Sequence, residues 1–168
     1  MFKSAFTVAV ALVLAGSVAA QSTAVRAEVG RQAATDGIIK VRSAYPFAET
    51  IERLKADIAA KKIMFFLAVD QSQLAADAGI ALKPSTLLMF GNPPLGTQFM
   101  TSSPAAGLDW PVRLLVTVDA SGTVWASYTD FGWIARRHRI NDRAAQFKMA
   151  SDVIVSITST IEAREAVQ

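Results

Sequence analysis

Cysteine is absent from the 168 residues, and histidine occurs once, as His138. The first absence excludes disulfides, thiolate metal sites, haem attachment through a CxxCH motif and a lipobox anchor, so the fold must hold by packing alone. The second excludes the usual multi-histidine metal site and leaves only a mixed site with carboxylates, so no metal or cofactor is expected. No Gly-x-Ser-x-Gly occurs, which disfavours a hydrolase built on a nucleophile elbow. A strong excess of one charge is also lacking, with 17 Lys and Arg against 14 Asp and Glu. A nucleic-acid binder shows a clear basic stripe, and no such partner is expected here.

The N-terminal residues follow a different pattern. Lys3 precedes an apolar, small-residue run from Ala5 to Gly16, and Val18-Ala19-Ala20 closes it. This is the layout of a cleavable export signal, with small residues at −3 and −1 if the cut falls before Gln21. The run from Phe6 to Ala20 is shorter than the roughly 20 apolar residues a membrane span needs, so no span is expected after cleavage. Loss of Lys3 would leave 16 basic and 14 acidic residues. The expected organisation is a signal peptide over 1–20, a flexible tail over 21–36 and one domain over 37–162. The expected location is outside the cytoplasm, the periplasm in a two-membrane bacterium.

Periodicity gives the elements of that domain. Residues 38–43 alternate as a strand with one wet face, and Phe47, Ile51, Leu54 and Ile58 recur at helical spacing behind Pro46, which suits a first helical turn. Residues 63–69 form a continuous apolar run, read as a strand buried on both faces. Asp70 can cap the helix that follows, and Gly79 can end it. A strand over 86–90 leads into Gly91-Asn92-Pro93-Pro94, and residues 95–110 read as irregular or weakly helical. Strands over 111–118 and 123–129 flank Asp119-Ala120-Ser121-Gly122, a hairpin turn. A short helix over 131–138 and a longer one over 143–162 complete the chain, the latter on a surface with Thr158 on its outer side. The expected fold class is α+β: a single small domain with a partly antiparallel sheet of about five strands and packed helices.

Several phrases in this order carry a likeness. They are Leu87-Leu88-Met89-Phe90-Gly91-Asn92-Pro93, Gly96-Thr97, Met100, Leu108-Asp109-Trp110-Pro111, Val124 to Asp130, Ile134-Ala135 and His138. Together they resemble the family known as domain of unknown function 302, from about Gly37 to His138. The resemblance implies a compact α+β domain, often exported in bacteria, with no established activity, and it implies a homodimer. Apolar strands and a C-terminal helix that one small sheet leaves uncovered agree with self-association. Family members commonly carry Asp-His after the second strand, whereas this chain has Asp70-Gln71. Glutamine neither titrates nor readily binds metal, so no mechanism is carried over through that position.

The candidate site residues have competing explanations. Gly91 to Thr97 has the glycine spacing of a P-loop, but Thr97 stands where the lysine belongs, and Pro93 and Pro94 offer no N–H to an anion. A rigid turn aiming Asn92 and Thr97 fits better. His138 lies within Arg136-Arg137-His138-Arg139 and suits a helix C-terminus as well as a base. Those arginines with Arg143 could clasp an anion or form a solvated run. Asp70, Asp109 and Asp130 suit caps or turns as well as a site. Trp110, Trp125, Tyr128 and Trp133 could line an apolar pocket or fill the core. The leading expectation is an exported, non-enzymatic domain that binds a small ligand or partner through Asn92, Thr97, Asp109, Tyr128 and His138. The alternatives are an enzyme using His138 as general base beside Asp109 or Asp130, and an assembly protein with no pocket.

Overall fold

The computed structural model describes residues 31–33 and 36–163. The expected signal peptide and most of the expected tail lie outside them. Strands β1 (Arg31–Ala33), β2 (Ile38–Arg42), β3 (Met64–Asp70), β4 (Ser85–Gly91), β5 (Val112–Val118) and β6 (Val124–Thr129) form one sheet in the order β1-β2-β6-β5-β4-β3. Every pairing is antiparallel, beyond the one hairpin that the sequence required. The short β1 adds a strand where the sequence offered no element. Helices α1 (Phe47–Ala60), α2 (Gln71–Asp77), α3 (Pro93–Ser102), α4 (Phe131–Arg137) and α5 (Ala144–Ser159) complete the α+β domain, with a 3-10 helix at Pro104–Asp109.

Cross-strand register explains the core. Leu88 faces Leu114, which faces Tyr128, and Thr86, Val116, Ala126 and Val41 form the next rung. These side chains are buried, and their period of two puts them on one face, against Leu54 and Ile58 of α1 and Phe147, Ile154 and Ile157 of α5. On the other face Arg42, Arg113 and Lys40 are exposed and Leu87, Met89 and Leu115 are half-buried. Thr158, expected on the outer side of α5, is instead fully buried, and its hydroxyl donates to Ile154 O at 3.0 Å. That bond is what lets a threonine enter an apolar layer.

Three further expectations change. Residues 95–110 are ordered as α3 and the 3-10 helix: Asn92 Oδ1 accepts from Leu95 N at 3.2 Å, and the two prolines occupy the first turn, where no N–H is needed. Pro46 precedes α1 at its N-cap rather than entering the first turn. The apolar run expected to be buried on both faces is β3, the edge of the sheet, and most of its side chains are exposed. Continuous apolarity signals a strand that something covers, but no described strand pairs with its outer edge. Asp70 caps α2 as expected, accepting from Gln73 N at 2.9 Å, and the Ser72 hydroxyl in particular holds its carboxyl below the ordinary range.

The β5–β6 hairpin is closed by Asp119. Its carboxylate accepts from the Ser121 hydroxyl at 2.6 Å, the Trp125 indole N–H at 2.8 Å and the Ser121 and Thr123 backbone N–H groups, and Gly122 supplies the left-handed residue at φ +85°. The Ser121 hydroxyl first and the Trp125 indole second lower its pKa from the ordinary 3.8 to about 2. A depressed carboxyl contributes stability above the unfolded value and loses it as pH falls through the folded value. Hairpin stability should therefore decline between pH 3.8 and about 2. Acid titration followed by Trp125 fluorescence should show this decline in the wild type and a smaller one in Asp119→Asn. Equal slopes in the two proteins would refute the assignment.

Candidate functional site

Two neighbouring features occupy the corner where α3, the 3-10 helix and the start of α4 meet the sheet. The first is an apolar groove of about 480 Å³, lined chiefly by Phe90 of β4, Leu95 and Phe99 of α3, Trp110, Phe131 of α4 and Ile154 of α5. Lys61, Asn92, Asp152 and Ser156 are its polar members. Its size and apolar lining match sites that take small organic molecules. Phe99 stacks on Phe147 with centroids 4.2 Å apart, which fixes the helical wall.

Trp110 is the opposite wall, and glycines make room for it. A Cβ on Gly96 would overlap the indole at Nε1 and Cδ1, and one on Gly91 would stand 3.1 Å from Nε1. Phe66 of β3 meets the same ring edge-on at 5.7 Å. The Trp110–Pro111 peptide is cis. The Gly91 to Gly96 spacing, which fails as a phosphate loop, thus serves the close approach of an aromatic ring.

The second feature lies one residue earlier. The Asp109 side chain is 3% exposed and His138 5%, and Asp109 Oδ2 sits 2.6 Å from His138 Nε2. Arg113 donates to Oδ1 at 2.9 Å and to Leu108 O at 2.9 Å, and Arg137 reaches both carboxylate oxygens at 3.3 and 3.4 Å. A carboxylate withdrawn this far from water persists only when its oxygens are filled by donors. A carboxylate accepts, so Nε2 carries the proton that it donates. The cluster ties the end of the 3-10 helix to the C-terminus of α4 and to β5, and so holds the adjacent Trp110 in the groove wall.

The five sequence-selected residues therefore separate. Asn92 lines the groove but spends its side-chain oxygen on the α3 cap. Thr97 is exposed on α3 and donates to Pro93 O at 2.8 Å, so it is not a groove residue. Tyr128 is buried in the core rung opposite Leu114. Asp109 and His138 come together, but behind the groove, with Val112 and Phe131 between them and it. Asp130 is not beside His138: it caps α4, accepting from Trp133 N at 2.6 Å. The void that touches Asp109 holds about 10 Å³, roughly one water. The pair thus meets the distance requirement for a base and its carboxylate, and the void beside Asp109 is too small for a substrate.

Of the basic run, Arg137 is committed to Asp109, Arg136 stands 4.0 Å from Asp130 and Arg143 pairs with Asp142, so three of its arginines already face carboxylates. Gln71 accepts from the Ser85 hydroxyl at 2.7 Å, away from the groove. Phe90, Leu95, Phe99, Phe131 and Ile154 were not among the candidate site residues, although Phe90 lies in the family phrase. Their signal was available only jointly, since each alone reads as core.

The family model described as "Domain of unknown function DUF302" matches residues 39–163. A crystal structure of an uncharacterized conserved DUF302 protein from Bacillus stearothermophilus superposes with TM-score 0.68 at 14% identity, covering 75% of this chain and 98% of that one. At that identity the likeness speaks for the fold. Two curated relatives, each called fluoride-specific ion channel FluC 1, come from Brucella suis biovar 1 and Brucella abortus biovar 1. Each is 37% identical over 124 residues, 74% of this chain but only 46% and 43% of the relative, so the chain spans under half the length of either.

Proposed function

The chain belongs to the DUF302 family, domains of unknown function, and from that premise we propose that it is an exported binding module whose groove takes one apolar amphiphile. The observation that carries this reading is the 480 Å³ groove walled by Trp110, Phe99, Phe90 and Ile154, with Asn92 and Lys61, the latter paired with Asp57 of α1, at its polar positions. An apolar cleft of this size with few polar groups is the ordinary form of a small-molecule site. Asp109 and His138 support the site from behind as positioning residues, and the lack of room beside them favours binding over catalysis.

The Brucella relatives lend secondary support. They are named as ion channels, the matched stretch is under half of each, and among the described residues of this chain no helix is long and apolar enough to cross a membrane. In such proteins the stretch would be an appended module working beside lipid, where amphiphiles are abundant. Fluoride conduction is not carried over to this chain.

Dodecanoate is a suitable probe. Titration followed by tryptophan fluorescence should saturate at one molecule per chain, and Ala150→Leu, which places extra methyl groups in the groove lining, should weaken binding at least tenfold while circular dichroism still shows a folded protein. Unsaturable binding, or Ala150→Leu binding as the wild type does, would remove the proposal.

A further inference from the structure

We infer that the outer edge of β3, which no described strand pairs, is completed by β3 of a second copy, in antiparallel pairing about a two-fold axis near Leu67, which makes one continuous sheet across the dimer. The exposed large apolar side chains are concentrated here: the run Met64–Leu67 with Leu74, Ile80 and Leu82, each 36–62% exposed. All belong to β3, α2 or the segment leading to β4, at one end of the sheet. Allowing about 200 Å² for a full side chain of this size, they present on the order of 700 Å² per copy, against roughly 800 Å² that each partner gives up in a standard interface. The β3–β4 register divides them between the two faces of the sheet, so they flank this edge on both sides, and monomers seldom leave so much apolar surface in water at one edge.

The strand also lacks most features that keep an edge from pairing. It contains no lysine and no proline, and its one charge is the terminal Asp70. Its single interruption is a bulge between Phe65 and Leu67, which releases Phe66 toward Trp110. Charge selects a second copy over an unrelated peptide. Lys62, exposed with φ +55°, lies just before the strand, and the exposed Asp70 ends it. Antiparallel two-fold pairing brings Lys62 of each copy alongside Asp70 of the partner subunit, within reach of a lysine side chain, and does so twice. Isologous interfaces require this self-complementarity. The pairing would also cover Phe66, and so buttress the groove wall at Trp110 from outside.

Analytical ultracentrifugation of the full chain, purified without detergent, should give a dimer at micromolar concentration. Leu67→Lys, which puts two like charges on the axis, should weaken association at least 100-fold while circular dichroism stays unchanged. Because the chain has no cysteine, Leu67→Cys should form a disulfide-linked dimer on mild oxidation, while Leu108→Cys, on a still more exposed residue elsewhere, should not. A monomeric wild type at tens of micromolar, including one that associates only with added peptide, would overturn the inference. So would a Leu67→Lys protein that remains dimeric, or cross-linking at Leu108→Cys alone.

Discussion

Gly96→Ala should destabilise the protein by about 2 kcal/mol and abolish dodecanoate binding, although the same change in an ordinary helix is favourable. Alanine is better than glycine in a helix interior by about 1 kcal/mol, and Gly96 lies in α3 without a left-handed φ to protect. The opposing effect is steric. The new methyl would occupy the place of the Trp110 indole, and overpacking of a fitted aromatic costs about 1–3 kcal/mol or more when neighbours cannot move. Trp110 has little freedom, with Phe66 on its edge, Gly91 behind it and Asp109 anchored next to it. The steric effect should therefore win, and relief by swinging the indole outward would dismantle the groove wall. Urea denaturation and the fluorescence titration read the two consequences separately. A midpoint equal to or above that of the wild type would show that Trp110 is not held where the groove requires it.

The second large effect is expected at Asp109. Replacement by alanine leaves His138 buried without its partner and frees Arg113 and Arg137 from their common acceptor. Breaking a buried ion pair costs about 3–5 kcal/mol when both members are out of water, but the two arginine side chains are 46% and 45% exposed and can return to solvent. The expected loss is therefore at the lower end, about 3 kcal/mol, most of it from His138 and from the untethered 3-10 helix. His138→Gln, which can still donate to the carboxylate, should cost only about 1 kcal/mol, the scale of one hydrogen bond. Dodecanoate affinity should fall in step with stability in both variants, because both act through Trp110. If His138→Gln kept full stability but eliminated a chemical activity of the wild type, His138 would be a catalytic group and not a positioning one.

Much of the fold was legible because its signals are local. The helical spacing of Leu54 and Ile58, the Asp70 cap and the Asp119 to Gly122 turn each depend on residues within one element, and each lies where the pattern put it. The failures required knowledge of neighbours. A continuous apolar strand reads the same whether its cover is another layer of the same chain or something beyond it, so β3 was misplaced in the interior. Tyr128 alternates correctly along β6, but which face meets the helices is decided by the register with β5 and β2. For the site, the residues of the family phrase do converge on one corner, although in structural roles: glycines that admit an indole, a carboxylate that anchors it, and an asparagine that starts α3. The groove itself is formed by aromatic and aliphatic side chains from five separate segments, and no spacing rule joins them.

The most direct test of the binding account is the indole N–H resonance of Trp110 in a nitrogen-15 spectrum, assigned with Trp110→Phe and followed during dodecanoate addition. The account predicts a saturable shift of this signal together with the amides of Leu95, Gly96 and Phe99, while the indoles of Trp125 and Trp133, outside the groove lining, stay in place. Dodecanoate that leaves Trp110 unmoved, or that instead perturbs the surroundings of His138 and Arg137 alone, would contradict it.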